Sequence, residues 1–114
     1  MTFRKARVQD QMRDWCAEYF KDHPSPTGLL TLTGFDMSPD MKYATILISV
    51  LPESAEQTVF DYAVRELHNL REFVKSQAHM RVFPFFKIEL DIGEKRRQAF
   101  DEVLRQAKEA DKNR

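Results

Sequence analysis

The chain has 114 residues, 42% of them hydrophobic, which is enough for one core and too little for a second domain of ordinary size. Eighteen Lys and Arg balance eighteen Asp and Glu. No general basic field therefore draws the molecule to nucleic acid, and any contact with RNA must use a local patch. Cys16 is the single cysteine, which excludes an intrachain disulfide and a Cys-based zinc site. No run approaches the ~20 apolar residues of a membrane span, and the first ten residues hold no apolar signal core, so a cytoplasmic protein is expected.

Val8, Met12, Trp15, Cys16, Tyr19 and Phe20 recur at helical spacing, with Arg7, Gln11, Arg13, Asp14 and Glu18 on the other side. This predicts an amphipathic first helix, ended by Pro24, Pro26 and Gly28. Cys16 falls on its apolar side, as a small buried hydrophobe rather than a reactive thiol. Residues 29–38 read as a strand in which Leu30 and Leu32 alternate with Thr31 and Thr33. After Gly34 the apolar parity shifts to Phe35 and Met37, which predicts a bulge or a positive φ at the glycine. Ser38-Pro39-Asp40 signals a turn. A second strand over 43–51 puts Ala44, Ile46, Ile48 and Val50 on one face, and the two strands form a hairpin.

Past Pro52, Ser54 and Gln57 have the spacing of a capping box, with Ser54 as N-cap. The helical pattern then runs without Pro or Gly to Met80. A straight helix of that length would be roughly 40 Å long, against a radius of gyration of about 13 Å for a domain this size. A break is expected between Leu67 and Ser76, with Asn69 as the local candidate. Residues 85–92 read as a third strand, with Phe86, Ile88, Leu90 and Ile92 on one face. A last helix after Gly93 carries Phe100, Val103, Leu104 and Ala107. Residues 1–107 then form a single domain, and 108–114 a charged tail expected to fray. The order α-β-β-α(kinked)-β-α describes an α+β domain with helices on one face of a three-stranded sheet.

That order is the topology of a type II KH domain. Within it, Leu30-Thr31-Leu32-Thr33-Gly34-Phe35-Asp36-Met37-Ser38-Pro39-Asp40-Met41-Lys42-Tyr43-Ala44-Thr45 resembles the strand–turn–strand signature of the ribosome-binding factor A family. Arg81-Val82-Phe83-Pro84 followed by Leu90-Asp91, and the Arg4 to Val8 spacing, are similar to weaker signatures of the same family. The resemblance spans residues 4 to about 104. It implies a KH-like assembly factor, without catalytic activity, that binds the small ribosomal subunit and its rRNA and assists late maturation and processing of that rRNA. It implies no cofactor, no small-molecule substrate and no membrane, and a monomer. KH domains carry a Gly-x-x-Gly loop where bare backbone meets phosphates, and the family replaces it with an Ala-x-Gly kink. This chain has no glycine between Gly34 and Gly93, so it has neither motif.

Arg65, His68, Arg71, Lys75 and His79 fall opposite the apolar arc of the long helical pattern, with Arg81 just beyond and Glu72 the one acid among them. Such a stripe suits rRNA phosphates, and a solvated helix face is the plain alternative. Arg4, Lys5 and Arg7 form a second cluster that could reach rRNA as a mobile arm. Lys95, Arg96 and Arg97 sit among acids and read as a solvated face. His23, His68 and His79 are too scattered for a metal pair, so no metal is expected. Asp36 and Asp40 lie in a strand–turn context where Asp bonds backbone, and no catalytic carboxylate is expected of Asp36, Asp40 or Asp91. The nine phenylalanines do not form a base-stacking set. Phe85 is the one best placed to be exposed, although packing at the sheet edge is the expectation. The rival readings are a protein–protein interaction module of the same topology without RNA binding and, more distantly, a small enzyme, which a deep pocket with convergent polar groups would revive.

Overall fold

The computed structural model describes residues 2–80 and 83–93. The last helix expected after Gly93, the Lys95-Arg96-Arg97 cluster and the tail of 108–114 lie outside the described residues, as does Arg81.

Helix α1 spans Thr2–Asp22 and buries Met12, Cys16, Tyr19 and Phe20. Its end is closed by the His23 N–H, which donates to the Tyr19 carbonyl at 2.9 Å just before Pro24. Strand β1 (Leu29–Met37) pairs antiparallel with β2 (Tyr43–Leu51), and β2 pairs parallel with β3 (Phe85–Leu90), giving the order β1-β2-β3. Ala44, Ile46, Ile48 and Val50 form the central row of the core, flanked by Phe35, Met37 and Ile88. Helix α1 packs over β1, and the helices that follow β2 pack over β2 and β3. All of the described helices lie on this one face, and none of them covers the other.

The β1–β2 register shifts between Leu32 and Gly34, so Thr33 is the extra residue of a bulge. The expected bulge is present, but Gly34 has no positive φ. Its role is spatial, because a Cβ there would meet Leu47 Cδ1 at 3.1 Å. The left-handed residue of the hairpin is Met41, with φ 61°. The turn that holds it is built on Asp40, whose Oδ1 accepts from the Ser38 hydroxyl at 2.6 Å and the Lys42 N–H at 3.1 Å. Thr33 also donates its hydroxyl to Asp91 Oδ2 at 2.6 Å, which ties β1 to the far end of β3 across the central strand.

The capping box is not formed. Residues Glu53–Ala55 make a 3₁₀ turn, and α2 (Glu56–Arg65) starts from Ala55 without a side-chain cap, while Gln57 bonds Asp61 instead. Helix α3 spans Leu67–Gln77. The expected break exists, but it lies at Glu66, before the window of Leu67 to Ser76, and Asn69 sits inside α3. Glu66 needs no left-handed backbone, since its φ is −83° and its ψ −6°. Its N–H is shared between the Tyr62 and Ala63 carbonyls, and its carboxylate accepts the Tyr19 hydroxyl at 2.5 Å. Tyr62 completes the junction by donating to the His23 carbonyl at 2.7 Å. Burial and the adjoining Glu66 carboxylate push the Tyr19 hydroxyl above its ordinary range.

Candidate nucleic-acid interface

The break divides the predicted stripe between two helices. Arg65 is exposed in the last turn of α2, and His68 and Lys75 are exposed on α3. At about 100° per residue, His68, Arg71 and Lys75 lie within about 60° of one another, so the three basic side chains share one flank of α3. Among the described residues, Arg65, His68 and Lys75 join no ion pair. The Arg65 and Lys75 charges remain open to solvent and to any approaching anion.

Arg71 does not behave as the wheel implies. It is half-buried, its Nε donates to the Pro84 carbonyl at 3.2 Å, and Nη2 reaches the Phe83 carbonyl at 3.4 Å. Its guanidinium lies 5.1 Å from the Phe83 ring centre and 5.2 Å from that of Phe85. A helix wheel has no information about what packs beside the helix, and here the segment leading into β3 offers carbonyls to the one cation nearest the apolar arc. Arg71 fastens α3 to the start of β3. His79 is exposed but lies past the end of α3, where Ala78 turns extended, so it leaves the stripe. It borders a groove of 270 Å³ with Trp15, Met80 and Val8.

Arg4, Lys5 and Arg7 belong to the first turns of α1 and not to a mobile arm, and Arg7 is exposed there. The sequence marks Phe85 as the phenylalanine best placed to be exposed, and it is, but Tyr43 beside it was not foreseen. Phe85 does not pack at the sheet edge; it stands in solvent beside Tyr43, on the face opposite the described helices. Period-2 parity could have found both, since each opposes the buried face of its strand. The parallel register that brings them side by side could not be read from the chain. Cys16 is fully buried, and its thiol is pushed up to about 12 by that burial, so it is chemically quiet. A cavity of 410 Å³ opens between the end of α1 and the edge of β1, but its walls are largely Phe20, Leu30, Leu32 and Ala17. Among the described residues no group of three or more His, Cys, Asp or Glu could hold a metal ion, and no helix is long and apolar enough to cross a membrane.

A mixed three-stranded sheet, entered through a long helix and covered on one face by a broken helical pair, defines a KH-like α+β domain. The family model described as Ribosome-binding factor A matches residues 4–104. A ribosome-binding factor A of Anaeromyxobacter sp. is 32% identical over 95% of this chain and 92% of its own length. The chain belongs to the ribosome-binding factor A family. Its fold is similar to the crystal structure of ribosome-binding factor A from Thermus thermophilus, with a TM-score of 0.68 and 21% identity over 75% of this chain and 93% of that one. It is also similar to a Thermus thermophilus ribosome binding factor A homology model fitted into the cryo-electron-microscopy map of a 30S complex. There the TM-score is 0.64 and the identity 19%, over 73% of this chain and 90% of that one.

Proposed function

We propose that this protein binds the small ribosomal subunit through rRNA backbone and assists late maturation and processing of small-subunit rRNA, in the cytoplasm and by binding alone. The observation that carries the contact is the exposure of the basic residues Arg65 and Lys75, with His68 beside them, outside any ion pair among the described residues, on a protein whose net charge is zero. On such a molecule a local row of cations supplies the attraction that a general field would otherwise give. Family membership and the Thermus thermophilus factor fitted into a 30S map support the choice of partner. The physical task is to hold an immature rRNA conformation, reading shape more than sequence. Arg7 on α1, with Arg4 and Lys5 in the turn before it, is a second contact in this reading.

The test uses Gln at all three positions. Glu would also repel the carbonyl ends of α2 and α3, where Arg65 and Lys75 sit in the last turns, and would confuse binding with stability. The combined variant Arg65→Gln, His68→Gln, Lys75→Gln should melt like the parent and fail to co-sediment with small subunits at moderate salt. Lys75→Ala alone should flatten the log–log salt dependence by roughly 0.7 to 0.9 of a unit. Co-sedimentation of the triple variant at parental affinity would reduce these residues to a solvated face.

A further inference from the structure

The geometry points to the Tyr43–Phe85 ring pair as a stacking platform for an unpaired RNA base, an inference that rests on the rRNA reading above. The register places Tyr43 directly opposite Phe85 at one end of the sheet, on the face that no described helix covers. Tyr43 is 60% exposed and Phe85 64%. Their ring centres lie 6.2 Å apart at 35°, so the two rings form adjoining, gently angled surfaces. Large aromatics paired in solvent are a poor use of apolar area unless something covers them.

Two observations favour a base over a protein partner. The first is the polar middle of that face. Around the half-buried Leu47, Asp36, Thr45, Ser49 and the Lys87–Glu89 ion pair, closed at 2.8 Å, separate the rings from Leu29 and Leu51 at the other end. A protein covering that face would have to desolvate the ion pair and the carboxylate, which is unfavourable. A single base needs only the rings. The second is the placement of charge. Arg71 holds its guanidinium 5.2 Å from the Phe85 ring centre and is itself fixed on the Pro84 and Phe83 carbonyls. The cationic flank of α3 therefore ends at the platform. Exposed Lys42, in no ion pair among the described residues, directly precedes Tyr43. Arg71 and Lys42 thus put positive charge beside the rings, where the phosphates flanking a stacked base would lie. Arrangements of this kind, aromatic faces beside cations, suit single strands and tolerate any base.

The experiment titrates a single-stranded RNA of about ten nucleotides, with an internal 2-aminopurine, and the duplex of the same sequence. Stacking quenches 2-aminopurine. The parent should quench it and bind the single strand. Tyr43→Ala and Phe85→Ala should each weaken binding by about tenfold and reduce the quench. Their salt slopes should match the parent, because no phosphate contact is removed. Tyr43→Phe should bind like the parent. Phe85→Leu, which keeps apolar bulk without a π face, should fail like Phe85→Ala. Both side chains are exposed, and unchanged melting separates loss of binding from loss of fold. Alanine variants that bind and quench like the parent would overturn the platform, and so would a Phe85→Leu variant that keeps parental affinity. A parent that binds no single-stranded RNA yet still co-sediments with small subunits would also overturn it, leaving the subunit reading intact. Loss of subunit binding in the Gln variants bears on that reading alone.

Discussion

Gly28 and Gly34 both sit where the chain crowds itself, and a methyl group would meet different neighbours at each. At Gly28 the added carbon lies 3.0 Å from the Leu51 carbonyl oxygen and 3.0 Å from Ala55 Cβ, with Val59 Cγ2 at 3.1 Å. Neither the carbonyl nor Ala55 can swing away, so the loop after α1 would have to move from the start of α2. At Gly34 the closest atom is Leu47 Cδ1 at 3.1 Å, the far end of a flexible, half-exposed side chain. Gly28→Ala is expected to lower stability by about 1–3 kcal/mol, the usual effect of overpacking, and Gly34→Ala by less than about 1 kcal/mol. Urea denaturation of the two variants measures this, and equal midpoints would contradict it. The sequence marked Gly34 correctly as a bulge position because parity flips there. It held no hint that Gly28 is the tighter site, since the Leu51 carbonyl and Ala55 arrive from more than twenty residues away in the chain.

Two connections between elements set how firmly the site is held. The β1–β2 turn depends on the Asp40 carboxylate, which the Ser38 hydroxyl and then the Lys42 N–H hold below its ordinary value of 3.8. A carboxyl lowered in the folded state stabilises the protein fully above the unfolded value, and that contribution disappears as pH falls through the folded one. Asp40→Ala should therefore melt earlier than the parent at about pH 7, and the gap should narrow steadily as pH falls below the ordinary value of 3.8. Melting curves across an acid pH series decide it, and a gap that does not narrow in acid would mean the carboxylate's charge is not the cause. The other connection is Arg71, which joins α3 to the approach to β3. Arg71→Ala strands two carbonyls and exposes apolar surface, so it should lower stability by about 1–3 kcal/mol. Lys75→Ala, one turn on and solvated, should stay within about 0.5 kcal/mol of the parent. If thermal melting ranks Lys75→Ala as the worse variant, the clamp is misassigned. Element existence was readable from period alone. The site of the helix break was not, because Glu66 is bonded by Tyr19, 47 residues earlier, and no local residue breaks the helix.

For the molecule as a whole, apolar spacing and turn residues were enough to foresee the α+β architecture, and the hairpin segment pointed to the family. The candidate interface was only half legible. Charge and helical period located Arg65, His68 and Lys75, but they could not show that packing recruits Arg71 or that His79 lies beyond the helix. Pairing of β2 with β3 placed Tyr43 beside Phe85, and strand partnership is a property of the assembled sheet.

The Tyr19–Glu66 hydrogen bond joins the N-terminal helix to the joint between α2 and α3, and Glu66 stands two residues before His68. The tilt of the cationic flank and the seating of α1 are thus settled by a shared contact. Thermodynamic linkage would run in both directions through that contact: if α3 binds an anion as proposed and its tilt changes, the seating of α1 changes with it. The outer surface of α1, which carries Arg7, and the flank of α3 would then respond as coupled reporters of a common joint, although 61 residues of chain separate Arg7 from His68.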